Sequence, residues 1–190
     1  MQNAQIVGDS SAAGDFNGDG KLDLVIIGGN VSIESSGILL GNGDGTFTQG
    51  SSLNTRGFVT VGDFNGDGKL DLAVCNIATN SVTILLGDGD GSFVTASASP
   101  IAVGIQPQAI VAGDFNNDGK LDLAVANYGD GTVTLLLGNG DGTFTPASGS
   151  PYAVVHGPFA IAAADFNGDG KLDLAIANLT DGTVSILLQQ

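Results

Sequence analysis

Short apolar runs alternate with glycine- and aspartate-rich turns along the whole chain. The third quarter shows the pattern most clearly. Gln108–Gly113 is apolar and leads into an acidic loop, Leu121–Asn127 follows, and Tyr128-Gly129-Asp130-Gly131 forms a turn. Thr132–Leu137 is the next apolar run, Gly138–Gly142 a second turn, and Thr143-Phe144-Thr145 opens a last run. Runs this short and this rich in β-branched residues predict strands, here named A, B, C and D in order. Asp-Gly and Asn-Gly pairs supply the positive φ angles that tight hairpins need. Strand B is predicted again at Leu22–Ile27, Leu70–Asn76 and Leu172–Asn178, and strand C at Ile38–Leu40, Val82–Leu86 and Val184–Leu188. Strand B is apolar at both alternating sets of positions, Leu123 and Val125 on one side, Ala124 and Ala126 on the other. That predicts a sheet covered on both faces, where a two-layer sandwich would leave one face polar.

The acidic loop is itself a repeat. DFNGDGKLD occurs at 15–23, 63–71 and 165–173, and DFNNDGKLD at 114–122. The first aspartates lie 48, 51 and 51 residues apart, a fixed period that marks a repeat architecture. Four antiparallel strands at such a period make a propeller blade. The fold class expected is all-β, a β-propeller with four blades per chain, at about 8–57, 58–108, 109–159 and 160–190. The 190 residues form one propeller domain or a half-propeller. The last repeat stops after strand C, so residues near Asn3–Val7 are expected to complete the fourth blade (1–7 with 160–190). Two closures are open: a four-bladed ring within one chain, or an eight-bladed homodimer.

Charge sharpens the reading. The formal net charge is −15, but twelve of the twenty acids and all four lysines lie inside the nonapeptides. Four divalent cations would leave about −7. Arg56 is the lone arginine, so there is no basic patch for nucleic acid. No apolar run approaches the ~20 residues of a membrane span. The opening MQNAQIVGDSS has neither the basic nor the apolar part of a secretory leader. Cys75, the single cysteine, sits in an apolar strand and is expected to be a buried free thiol.

Within each nonapeptide, positions 1, 3, 5 and 9 carry side-chain oxygens and position 7 offers a backbone carbonyl. The candidate metal ligands are Asp15, Asn17, Asp19, Lys21 and Asp23 in the first loop, and Asp63, Asn65, Asp67, Lys69 and Asp71 in the second. Asp114, Asn116, Asp118, Lys120 and Asp122 form the third set, and Asp165, Asn167, Asp169, Lys171 and Asp173 the fourth. Each lysine would contribute its carbonyl, with the ammonium pointing to solvent. Glycine at position 6 permits the sharp bend. All-oxygen donors in a flexible loop select Ca²⁺ over Zn²⁺, Cu²⁺ or Mg²⁺, about four ions per chain. An EF-hand would need glutamate at position 12, where Ile26, Val74, Val125 and Ile176 stand. Three carboxylates this close would repel one another without a cation.

An apolar strand, DFNGDGKLDLAVAN and then TVTLLLGNGDGTF together resemble the FG-GAP/VCBS repeat family, which includes the calcium-binding blades of integrin α-subunit propellers. The resemblance covers nearly the whole chain. It implies a propeller with Ca²⁺ in each A–B loop, an extracellular or cell-surface setting, and rings of seven or eight blades. It also implies a non-enzymatic binding or scaffold module for protein or glycan, as in adhesion. The alternatives are a propeller enzyme, lyase or hydrolase, and an inactive fragment of a longer propeller. His156 is the only histidine, and no Gly-x-Ser-x-Gly elbow is present, so no catalytic constellation is seen. Arg56, Phe58, Tyr128, His156 and Phe159 are expected on the face opposite the metal loops, the candidate ligand face. Phe16, Phe64, Phe115 and Phe166, at position 2 of each loop, are expected to wedge between blades.

Overall fold

The structure is a computed structural model that describes residues 9–28 and 36–189. Among these residues the regular elements are all strands, gathered into four antiparallel sheets. The first sheet holds β1 (Ser10–Gly14), β2 (Asp23–Ile27), β3 (Gly37–Gly41) and β4 (Phe47–Ser52). The second holds β5 (Phe58–Gly62), β6 (Asp71–Asn76), β7 (Ser81–Gly87) and β8 (Phe93–Thr95), with β9 (Ile101–Ala102) also on β7. The third holds β10 (Pro107–Gly113), β11 (Asp122–Asn127), β12 (Thr132–Gly138) and β13 (Phe144–Pro146), with β14 (Tyr152–Ala153) on β12. The fourth holds β15 (Pro158–Ala164), β16 (Asp173–Asn178) and β17 (Thr183–Leu187). Sequential strands pair throughout, as in a propeller blade.

The predicted runs and the observed strands coincide to within a residue or so at most ends. The nonapeptide forms the connection from the first to the second strand of each sheet, and its last aspartate is the first residue of that second strand. Gly14, Gly62, Gly113 and Ala164 pair with Asp23, Asp71, Asp122 and Asp173 and so close the ladder at the loop.

Consecutive sheets pack face to face through three apolar layers. Phe16, Val25, Ile27 and Ile38 of the first sheet meet Val59, Leu72 and Val74 of the second. Phe64, Ala73, Cys75, Val82 and Ile84 meet Ile110, Leu123 and Val125 of the third. Phe115, Ala124 and Val133 meet Leu174 and Ile176 of the fourth. The expected division of strand B between two neighbours is therefore realised: Leu123 and Val125 face back, Ala124 faces forward. Approach is close. A Cβ on Gly62 would lie 2.5 Å from Cδ1 of Leu121, so a glycine there lets the next sheet seat its leucine.

The four sheets form an open arc. No core cluster joins the fourth sheet to the first among the described residues. Among the described residues no apolar layer closes a four-bladed ring within one chain. No described sheet lies on the forward face of the fourth sheet, and Phe166 is 48% exposed where Phe16 and Phe64 are each 2%. The wedge expected of position 2 therefore holds in three loops and fails in the fourth, on which no described sheet packs. Beside Phe115 lies an apolar hollow of about 500 Å³, walled by Leu135, Leu172, Leu174 and Leu187. In the two preceding layers the corresponding place is filled by an edge-on aromatic pair, Phe16–Phe93 and Phe64–Phe144 (centroids 5.8 Å apart in each). The segment Asn3–Val7, expected to complete the fourth blade, and the Glu34-containing connection lie outside the described residues.

Candidate functional site

Each nonapeptide is a loop folded around its own first aspartate. Asp15 Oδ1 accepts the amides of Gly18 (2.8 Å) and Asp19 (3.2 Å), and Oδ2 accepts that of Gly20 (2.8 Å). Asn17 Oδ1 accepts the Asp19 amide at 3.0 Å, and Asp19 Oδ1 accepts the Lys21 amide at 2.9 Å. These side-chain-to-backbone turns are the reason Asp and Asn occupy positions 1, 3 and 5: each caps N–H groups that the bend leaves unpaired. The second and fourth loops repeat the set, from Asp63 to Lys69 and from Asp165 to Lys171. In the third loop Asp114 accepts the amides of Asp118 and Gly119, Asn116 that of Asp118 and Asp118 that of Lys120, and Asn117 takes the left-handed φ of 58° that Gly18 holds at 72°. Asparagine is the residue besides glycine that tolerates this conformation.

Position 9 behaves differently. Asp23, Asp71, Asp122 and Asp173 are buried at the base of the loop. Asp71 Oδ2 accepts the amide of Phe64 at 2.9 Å, and Oδ1 accepts that of Gly87 at 2.8 Å. Asp23 holds Phe16 and Gly41, Asp122 holds Phe115 and Gly138, and Asp173 holds Phe166 and Gln189. The residue thus staples the loop to the end of the third strand of its own sheet. Position 9 is a ligand candidate from the sequence, and the staple is a role that the structure displays. The signal was present in the glycine that ends the third strand at 41, 87 and 138.

Burial, reinforced by the charges of Asp67 and Asp63, pushes the Asp71 carboxyl above its ordinary range. Asp122 is raised in the same way, with Asp118 and Asp114 as its neighbours. Asp19 and Asp67, at the exposed rim, are instead held low, chiefly by the amides of Lys21 and Lys69. The lysines lie at the surface, and two reach back to their own loop, Lys21 Nζ to Asp19 at 3.3 Å and Lys120 Nζ to Asp118 at 4.0 Å.

The structure therefore brings positions 1, 3, 5 and 9 into one loop, with the lysine carbonyl between the last two. Every donor is an oxygen, and each carboxylate oxygen bound by one amide retains a further lone pair. The set fits a hard divalent cation. Among the described residues, no three Asp, Glu, His or Cys side chains converge as they would around a metal, because the oxygens are turned onto backbone amides. Asp44, Asp90 and Asp141 in the adjacent hairpins are occupied by Thr46, Ser92 and Thr143. The hairpin of one sheet also abuts the loop of the sheet before it: Gly91 N–H donates to the Phe16 carbonyl (2.9 Å), and Gly142 N–H to that of Phe64 (3.0 Å).

At the other end of the sheets, the entering linkers meet the turns between second and third strands. Asp130 Oδ2 accepts the amide of Ile105 at 2.9 Å, and Asp181 Oδ2 accepts that of His156 at 2.8 Å, with His156 Nδ1 at 3.2 Å. Tyr128 Oη lies 3.4 Å from Thr180 Oγ1. Phe58 is turned into the core between the second and third sheets, so it does not belong to a ligand face. Arg56 does face a hollow of about 750 Å³ between the first two sheets, shared with Asn54, Asn76, Thr79 and Thr83.

Comparison with known structures supports the fold alone. A functionally unknown protein from Desulfotomaculum acetoxidans superposes with a TM-score of 0.64 at 17% identity, over 98% of this chain and 57% of its own. A Lactobacillus plantarum protein gives 0.58 at 11% identity, over 95% of this chain and 54% of its own. A lectin from Agrocybe aegerita, described as recognising non-reducing terminal N-acetylglucosamine, gives 0.55 at 22%, over 94% and 51%. The chain thus spans little more than half the length of these structures. No curated protein matches it in sequence. The profile of the FG-GAP-like repeat matches three times, over residues 15–74, 63–125 and 114–176, and the chain belongs to the FG-GAP-like repeat family.

Proposed function

We propose that this chain is a calcium-stabilised, non-enzymatic propeller module, working outside the cell as a binding or scaffold element for protein or glycan. The observation that carries the reading is the fourfold loop, in which three carboxylates and an asparagine repeat at positions 1, 5, 9 and 3 on one end of the sheets. At the base of two loops the charged carboxylate is disfavoured: Asp71 and Asp122 are raised, chiefly by burial and to a smaller extent by the other aspartates of their own loops. A Ca²⁺ held by positions 1, 3, 5 and 9 and by the position-7 carbonyl supplies the missing positive charge. It binds the folded loop and not the unfolded chain, so its binding energy becomes folding energy.

The side-chain chemistry supports binding more than catalysis. The lone histidine is exposed and sits against Asp181, with its backbone tied into a linker. The hollow that holds Arg56, Asn76 and Thr79 has a mostly apolar wall, with Leu53, Leu85 and Phe93, and sets several donors and one cation against it, a combination suited to a sugar ring. The lectin of similar fold lends this ligand class some weight.

The test is thermal unfolding with Ca²⁺ and with chelator. At a hundredfold excess over Kd each site contributes about 2.7 kcal/mol, so chelation should lower Tm by about 5 °C or more. An unchanged Tm, or an equal response to Mg²⁺, sinks the calcium reading. Glycan and protein arrays probed with the loaded chain, beside an Arg56→Ala variant, test the ligand half separately.

A further inference from the structure

The three internal layers share one design, and both of its halves recur unpaired at the ends of the arc. In each layer the earlier sheet presents a loop phenylalanine and the apolar residues of its third strand. The later sheet presents a leucine just before its last loop aspartate and, in the first two layers, a phenylalanine that opens its fourth strand. Thus Leu70 and Phe93 pack on the first sheet, and Leu121 and Phe144 on the second.

The fourth sheet carries the forward half of this design with nothing described upon it. Phe166, Val184, Ile186 and Leu188 stand where Phe64, Val82, Ile84 and Leu86 stand in the second sheet, and they are 48%, 64%, 48% and 53% exposed. The first sheet carries the rear half. Leu22, the counterpart of Leu70, is 69% exposed, and Phe47, the counterpart of Phe93, is 39% exposed. Isolated exposed apolar residues are ordinary, but two contiguous patches repeating the halves of an established layer are not.

We infer that the fourth sheet is a docking face for the first sheet of a second copy of this chain. The reciprocal contact closes the pair into one ring. Leu22 would seat over Ala164, Phe47 would meet Phe166 edge-on, and the Gly45 amide would reach the Phe166 carbonyl as Gly91 reaches that of Phe16. Two observations choose a second copy. The faces match each other by the chain's own repeated pattern, and the structures of similar fold are little short of twice as long. One departure is visible. Ala164 replaces the glycine of the other sheets, where a Cβ on Gly113 would lie 2.9 Å from Leu172 Cδ1. The contacting atom is the free end of a leucine, which can turn aside.

Light scattering and sedimentation of the 190-residue chain, from low to high micromolar in calcium-containing buffer, test this. The expected mass is twice 18.8 kDa. Leu22→Glu and Ile186→Glu change side chains that are exposed in the single chain, so both should fold, with an unchanged circular dichroism spectrum. Each should weaken pairing by more than about a hundredfold, as a charge buried at an interface centre does. Each variant spoils only one face, so mixing the two leaves one intact contact and should restore a two-chain species. A wild-type chain monomeric at every concentration overturns the proposal. So do a dimer indifferent to both substitutions and an open polymer of many copies.

Discussion

Strands β11 and β16 read DLAVAN and DLAIAN and occupy the same place in their sheets, yet their surroundings differ. Every residue of β11 is buried, whereas Ala177 of β16 is exposed and Ala175 half-buried. Nothing in the strands accounts for this. Among the described residues the third sheet has neighbours on both sides, and the fourth has one. In a repeat protein, burial belongs to the stack and is lent to each repeat by the next. The same pattern of residues is therefore a core in one place and an open face in another.

The largest expected effect tests that contrast directly. Ile84 and Ile186 are equivalent residues of the third strand, the first fully buried and the second 48% exposed. Ile84→Ala should cost about 2–5 kcal/mol, because the cavity lies between two packed sheets. Ile186→Ala should cost less than about 1 kcal/mol in dilute chain. Urea unfolding of both variants measures the gap. Equal losses at low concentration would mean that the fourth face is covered, and the contrast would fall.

The second effect contrasts the base of a loop with its rim. Asp71→Ala strands the buried amides of Phe64 and Gly87, at about 1–3 kcal/mol for each unsatisfied group. The loss is partly offset at neutral pH, because Asp71 has a raised folded pKa and the charged form is disfavoured. A raised group contributes stability below its unfolded pKa and loses it as pH rises through the folded value. The net destabilisation without metal should therefore grow on mild acidification, once the wild-type carboxyl is protonated. Asp67→Ala removes an exposed acceptor and should cost clearly less than Asp71→Ala without metal. With Ca²⁺ present, both variants should lose the stabilisation of that one site. Chelator titrations at two pH values separate these terms.

Much of this was legible before any coordinates. Periodicity located the strands because half-buried and fully buried runs differ in their alternation, and the glycine turns set the hairpins. The nonapeptide marked the loop because Asp and Asn at alternate positions bond the bend's amides whether or not metal is present. That double use also hides the second role of the aspartate at position 9, the staple to the third strand. Its amide partners, Gly41, Gly87 and Gly138, lie 16 to 18 residues away, and the recurring glycine at the end of the third strand is the one mark they leave in the sequence. Phe58 was assigned to a ligand face from its linker position, but its side chain turns into the layer below. The exposure of Phe166 could not be read from a motif identical to that of Phe64.

A third, smaller effect follows from those two phenylalanines. Phe64 packs edge-on against Phe144 at 5.8 Å, an arrangement that contributes about 0.5–1.5 kcal/mol beyond its area. Phe64→Leu should therefore destabilise by about 1–2 kcal/mol. Phe166→Leu should change the single chain by no more than about 0.5 kcal/mol. The same substitution should weaken any pairing through the fourth sheet, so thermal unfolding and mass measurement on one variant report two separate quantities.

The smallest effect asks whether the loops share the dependence on neighbours that the sheets show. Position 4 is glycine in three loops and Asn117 in the third, and all take a left-handed φ, from 58° at Asn117 to 80° at Gly168. Glycine holds this conformation without strain but loses more freedom on folding, and asparagine reverses both terms. The terms are similar in size, so Asn117→Gly and Gly168→Asn should each change stability by less than about 0.5 kcal/mol, in opposite senses. A Cβ on Gly168 meets nothing within 4 Å, so no neighbour interferes. Equal and opposite shifts in Tm would show that the loop is a local device, the same beside a packed sheet as beside an open one. A larger shift in the fourth loop would extend the contrast between β11 and β16 from the sheets into the loops.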